Sequence, residues 1–171
     1  MAETLDPALP DHLQEKAERV LQRACEREAP LTVAESCTGG LLAALLTDIP
    51  GCSHIFERGF VVYSDQSKCD LLGLERTMID DCGAVSRNVA IAMARGALAA
   101  ADASISLSIT GFAGPPGDDQ DGEEGLVHFA CCSKGGGMTH QECHFGKLGR
   151  QGVRIAALDK ALDLIAQELD A

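Results

Sequence analysis

Apolar residues recur at helical spacing early in the chain. Leu13, Ala17, Val20, Leu21 and Ala24 share one face, with start signals at Pro10 and Asp11 and a stop at Pro30. This predicts a helix over residues 11–28. "LTVA" then reads as a short buried strand, "SCTGG" as a loop, and Leu41 to Ile49 as a helix ended by Pro50-Gly51. "FERGFVVYS" predicts a second strand, about Gly59 to Ser64. "DQSKCDLLG" is a short helix closed by Gly73, and another short helix covers Glu75 to Cys82. Ser86 to Ala101 is a helix that Ser86 can cap, with Val89, Met93, Ala97 and Ala100 on one face.

"ASISLSIT" switches to period two, with Ile105, Leu107 and Ile109 on one face of a third strand. A turn-rich stretch, "GFAGPPGDDQDGEEG", follows it. "LVHFACCS" and "MTHQECHF" form a strand pair joined through "KGGG", and Arg150 to Leu169 closes the chain as an amphipathic helix. That order predicts a three-layer α/β/α sandwich with a mostly parallel mixed sheet and one antiparallel pair, forming a single domain over residues 1–171.

Composition narrows the function classes. The chain is 46% hydrophobic with one Tyr, five Phe and no Trp, so its core is built of Ala, Leu, Ile and Val. A formal net charge of −12 without a Lys/Arg cluster opposes binding to nucleic acid, although a local pocket can still be positive. No apolar run approaches a membrane span, and the first twenty residues lack the pattern of an export signal. Eight cysteines lie in apolar contexts without a C-x-x-C spacing, which reads as reduced thiols in a cytoplasmic protein rather than a disulfide or zinc framework. The five histidines form no set. No metal and no cofactor is expected.

Loops after parallel strands gather at one sheet edge, where ligands bind in such folds. The first, Ser36 to Gly40, offers a hydroxyl at a strand-to-helix turn. Gly39 and Gly40 permit close backbone approach, and the helix N-terminus that follows presents N–H groups to an anion; the same residues also fit an ordinary helix cap. The second holds Tyr63 and Lys68. A desolvated lysine can act as base for a hydroxyl nucleophile with Tyr63 relaying a proton or orienting the pair, whereas the plain alternative is a surface lysine beside a tyrosine. In the third, Thr110 and the N–H groups of Gly111 to Gly114 can cradle phosphate or a sugar hydroxyl, yet the stretch matches no formal phosphate motif. The acidic run 118–124 reads as a solvated loop, its spacing unlike a calcium loop. Arg150 opens the last helix, with Lys147 before it and Arg154 one turn on; it can grip a phosphate or pair with nearby carboxylates.

"TVAESCTGGLLAALLTDIPG", "FERGFVVYSDQSKCDLLG", "GAVSRNVAIAMARGAL", "SITGFAGPPG" and "GLVHFA", in this order, resemble the CinA C-terminal domain family over about residues 13 to 167. "AESCTGG" and "ITGFAGP" are the most specific parts. The family includes nicotinamide-nucleotide amidases, so the resemblance implies hydrolysis of nicotinamide mononucleotide to nicotinate mononucleotide and ammonia. It implies Ser36 as nucleophile, Lys68 as general base and Tyr63 as assistant. Thr38, Gly39 and Gly40 would lie beside the substrate, Thr110 and Gly111 would form the opposite wall, and Arg150 would bind phosphate.

The partner implied is a small nucleotide, and a stand-alone homo-oligomeric chain is expected. Pro116-Gly117, Glu123-Glu124 and "GKLGR" depart from the family pattern around the ligand but leave Ser36, Tyr63 and Lys68 in place. Cys37 is the rival nucleophile. The broader alternatives are a non-catalytic nucleotide-binding domain and an amidase for another phosphorylated amide.

Overall fold

The computed structural model describes residues 8–171. The reading of the N-terminus as free of an export signal, and the start of the expected domain, therefore lie partly outside the described residues. The elements run α1 (Asp11–Glu26), β1 (Leu31–Glu35), α2 (Leu41–Asp48), β2 (Phe56–Val61), α3 (Asp65–Leu72), α4 (Arg76–Cys82), α5 (Arg87–Ala100), β3 (Ile105–Gly111), β4 (Leu126–Ser133), β5 (Met138–His144) and α6 (Gly149–Asp170).

Five strands form one sheet in the order β2-β1-β3-β4-β5. β1 pairs parallel with both β2 and β3, β4 is antiparallel to β3, and β5 is antiparallel to β4. Four of the five strands therefore point the same way, as expected for the mixed sheet. α1, α2 and α6 cover one face, packing Leu13, Leu42 and Leu158 against Val33, Leu107 and Phe129. α3, α4 and α5 cover the other, where Leu72, Ile79, Val89 and Met93 meet Ala34 and Val62. A central strand buried on both faces loses its hydrophobic alternation, and all five residues of β1 are buried.

β3 keeps its alternation while also being buried on both sides. Ser108 donates to Ala90 O in α5 at 2.6 Å and Thr110 donates to Ala84 O just before it at 2.8 Å, so two of the three hydroxyls on the polar face of the strand are satisfied there, while the buried Ser106 Oγ has no partner among the described residues.

β2 begins and ends earlier than the apolar run suggests. Val62 N still donates to Glu35 O, but Ser64 turns out of the sheet to accept the Ser67 N–H at 3.1 Å and cap α3. Capping of the next helix overrides the strand propensity of Val62 and Tyr63. This early exit swings Lys68, on the first turns of α3, back toward the end of β1.

Candidate active site

The C-terminal ends of β1 and β3 and the segment after β2 surround a cavity of about 220 Å³. Ser36, Cys37, Tyr63, Asp65, Lys68, Thr110, Gly111, Gly114, Gln120 and Arg150 contribute to its walls. Of the nine residues expected at the site, the structure brings Ser36, Tyr63, Lys68, Thr110, Gly111 and Arg150 together around one space. Thr38, Gly39 and Gly40 lie outside its lining. Thr38 is fully buried, and Gly39 and Gly40 use left-handed φ values of 61° and 91° to turn the chain into α2.

Lys68 is the most unusual side chain here, being only 1% exposed. Its Nζ lies 3.0 Å from Val62 O, 3.3 Å from Tyr63 O and 3.3 Å from Ser36 Oγ. Burial pushes its pKa down from the usual lysine value, against a smaller opposing pull from Asp65. A neutral amine has two N–H donors and one lone pair. In that form the two carbonyls can take the hydrogens and leave the lone pair for the Ser36 hydroxyl, whereas the ammonium form donates to all three oxygens.

Tyr63 contributes its carbonyl to Lys68, while its side chain is 68% exposed at the cavity rim. Cys37 is adjacent to Ser36, but burial raises its thiol to about 12, so it stays protonated and weakly nucleophilic near neutral pH.

The first loop corrects one expectation. The N-terminal N–H groups of α2 are not open to an anion, because the buried Glu35 carboxylate occupies them. Glu35 accepts from Gly40 N at 3.2 Å, Leu42 N at 3.1 Å and Ala43 N at 2.8 Å. Read in sequence, Glu35 is only the polar end of a strand. Its alternation with the apolar Ala34 carried no sign that it folds forward over the next helix.

The opposite wall is built on close backbone packing. A Cβ on Gly111 would stand 2.7 Å from Val127 Cγ2 and 2.8 Å from Leu126 O, forcing β3 away from β4. A Cβ on Gly114 would stand 3.1 Å from an Arg150 Nη2, so the guanidinium lies directly over the third loop. The acidic run is used to pin that loop. Glu124 accepts the Gly149 N–H at 2.9 Å, and Glu123 meets His144 Nδ1 at 2.7 Å.

The histidines are more connected than expected. His128 Nδ1 and His140 Nε2 are 3.1 Å apart, and His144 bridges Glu123 and Glu142. The β4–β5 register aligns His128 with Glu142 and Leu126 with His144, and that register is not written in either strand alone. Among the described residues no group of three or more such side chains is arranged to hold a metal ion. The eight cysteines are free thiols. No helix among the described residues is long and apolar enough to cross a membrane.

Asp65 and Gln120 on the cavity wall escaped the sequence reading. Asp65 follows the capping Ser64 and reads as an ordinary first-turn acid.

Comparison with known proteins adds an independent line. The model of the CinA C-terminal domain matches residues 13–169. The chain is 43% identical over 157 residues to the nicotinamide-nucleotide amidohydrolase PncC of Escherichia coli K12, covering 91% of this chain and 94% of that protein. It is similar in structure to the competence/damage inducible protein CihA of Agrobacterium tumefaciens, with a TM-score of 0.91, 36% identity and full coverage of both chains. A CinA superfamily protein of Escherichia coli aligns with a TM-score of 0.86 and 32% identity, over 98% of this chain and 99% of that one.

Proposed function

The chain belongs to the CinA C-terminal domain family, and from that premise we propose that it hydrolyses the carboxamide of nicotinamide mononucleotide to the carboxylate and ammonia, with Ser36 as nucleophile and Lys68 as general base. The observation that carries this reading is the buried Lys68 amine, held by two carbonyls and 3.3 Å from Ser36 Oγ at the wall of a cavity. The E. coli relative named for this reaction, similar across almost its whole length, supports the choice of substrate.

Ser36 Oγ attacks the carboxamide carbon as Lys68 Nζ takes its proton, giving a tetrahedral intermediate. The N–H groups of Gly40, Leu42 and Ala43 are already bound to Glu35, so they are not the donors that meet its negative oxygen. Collapse breaks the C–N bond, and the Lys68 ammonium returns its proton to the departing nitrogen, releasing ammonia and leaving an ester on Ser36. Water then attacks the ester with Lys68 again accepting a proton. The C–Oγ bond breaks, Ser36 is reprotonated, and the carboxylate product leaves.

Arg150, over the third loop, supplies positive charge for the substrate phosphate, and Thr110 with Gly111 forms the wall facing Ser36. The test is ammonia release from nicotinamide mononucleotide by the purified protein and by Ser36→Ala. Release by the wild type alone supports the reading. Saturable binding without release points instead to a binding domain, and absence of binding means that a different amide is the substrate.

A further inference from the structure

We propose that Arg154 is a positioning residue for Ser36, acting through the peptide unit that joins Thr38 to Gly39. Arg154 reaches across from α6, and its Nη2 donates to Thr38 O at 2.8 Å. On the other side of the same peptide plane, Gly39 N donates to Ser36 O at 3.1 Å. One rigid amide therefore links the guanidinium to the main chain of the nucleophile. Its carbonyl is polarised by a full positive charge, which strengthens the N–H bond to Ser36.

The contact is a close one. A Cβ on Gly39 would lie 3.6 Å from Arg154 Nη2, and the left-handed φ of 61° at Gly39 lets the turn present its carbonyl to α6. The remainder of the turn is held from the opposite end, where Glu35 gathers the Gly40, Leu42 and Ala43 N–H groups. A carboxylate grips the N–H groups at the end of the turn and a guanidinium grips the Thr38 carbonyl, which leads to Ser36 through Gly39 N.

Arg154 does not line the cavity, whereas Arg150, one helical turn earlier, does. Arg154 Nε is buried without a hydrogen-bond partner, so the side chain sits where part of its hydrogen-bonding capacity goes unused. Such a placement costs stability.

This inference rests on Ser36 being the nucleophile but not on which amide is cleaved. Its test measures the labelling rate of Ser36 by a fluorophosphonate, along with kcat and KM for nicotinamide mononucleotide, in wild type and Arg154→Ala. Displacing a nucleophile by about 1 Å can cost on the order of 10²-fold, so labelling and kcat should fall together by roughly 10–100-fold with KM little changed. A wild-type labelling rate in folded Arg154→Ala, or a loss confined to KM, overturns the proposal.

If Arg154→Ala does not fold, Arg154→Lys gives the same reading. A partial loss is expected, because an ammonium makes a single bond to the carbonyl without the planar fork, and an unchanged rate overturns the proposal. Wild-type protein that labels at Ser36 but releases no ammonia rejects the substrate while leaving Arg154 testable by labelling. Wild-type protein that does not label at Ser36 rejects the nucleophile and Arg154 with it.

Discussion

Lys68 Nζ stands 3.3 Å from Ser36 Oγ, and its other two partners are the carbonyls of Val62 and Tyr63. With its amine neutral, Lys68 can donate to both carbonyls and keep a lone pair for the Ser36 hydroxyl, which is the arrangement the proposed general base requires. The charged form would have to donate its third hydrogen to Ser36 and could not accept a proton from it.

Lys68→Ala is expected to lower kcat by about 10²–10⁴-fold, the usual share of one general base. Lys68→Arg, permanently charged, should be as inactive. In the wild type the rate should fall as pH drops through the lowered Lys68 pKa, an inflection below the usual lysine value. A pH–rate profile for all three proteins checks this.

The same burial has a stability signature. Because the folded-state pKa of Lys68 is lowered, the unfolded chain binds more protons between that pKa and the ordinary lysine value, and stability rises with pH across this window. Lys68→Met should therefore be more stable than wild type near neutral pH, with the advantage shrinking as pH rises. Thermal melts at several pH values measure the difference.

Glu35 holds three backbone N–H groups with a fully buried carboxylate. Glu35→Ala should destabilise the fold by about 3 kcal/mol or more, since hydrogen bonds to a charged acceptor are worth roughly 1.5–3 kcal/mol each and buried donors are left unpaired. Glu35→Gln keeps one carbonyl oxygen and should lose less. Denaturant unfolding of the two variants separates these cases.

Cys37, with its thiol raised to about 12 by burial, should be dispensable for chemistry. Cys37→Ala should retain turnover within a few-fold, in line with a substitution that leaves the nucleophile and base in place. Thiol alkylators should inactivate the wild type only slowly. Rapid inactivation that persists in Ser36→Ala would make Cys37 the nucleophile.

Gly96 lies inside α5, where alanine is ordinarily better by about 1 kcal/mol. Here a Cβ would stand 2.1 Å from Leu72 O on α3. Gly96→Ala should reverse the usual sign, lowering the melting temperature and displacing the helix that carries Lys68, so that kcat falls as well.

Much of this fold was legible because single segments carry their own instructions. The apolar face of α1, the Ser86 cap of α5 and the Gly73 stop of α3 are local signals, and all three appear where they were read. The limits of β2 were misread because Val62 and Tyr63 suit a strand while Ser64 acts on the next helix. Among site residues, Ser36, Lys68 and Arg150 sit in loops or at helix starts that the parallel sheet brings to one edge.

What stayed hidden depends on long-range partners. Glu35 reaches forward over α2, Arg154 finds a carbonyl 116 residues away, and the His128–His140 contact exists only through strand register. No periodicity encodes such pairings. The cap formed by Glu35 also explains why the helix N-terminus, readable as an anion site, is already filled.

The most direct test of the Ser36–Lys68 account is to quench the reaction with nicotinamide mononucleotide in acid and search the digested protein for a covalent ester by mass spectrometry. The account predicts an acyl adduct on the peptide containing Ser36, assigned by fragmentation to that residue and absent from Ser36→Ala, which also releases no ammonia. An adduct on Cys37, or undiminished ammonia release by Ser36→Ala, would contradict it.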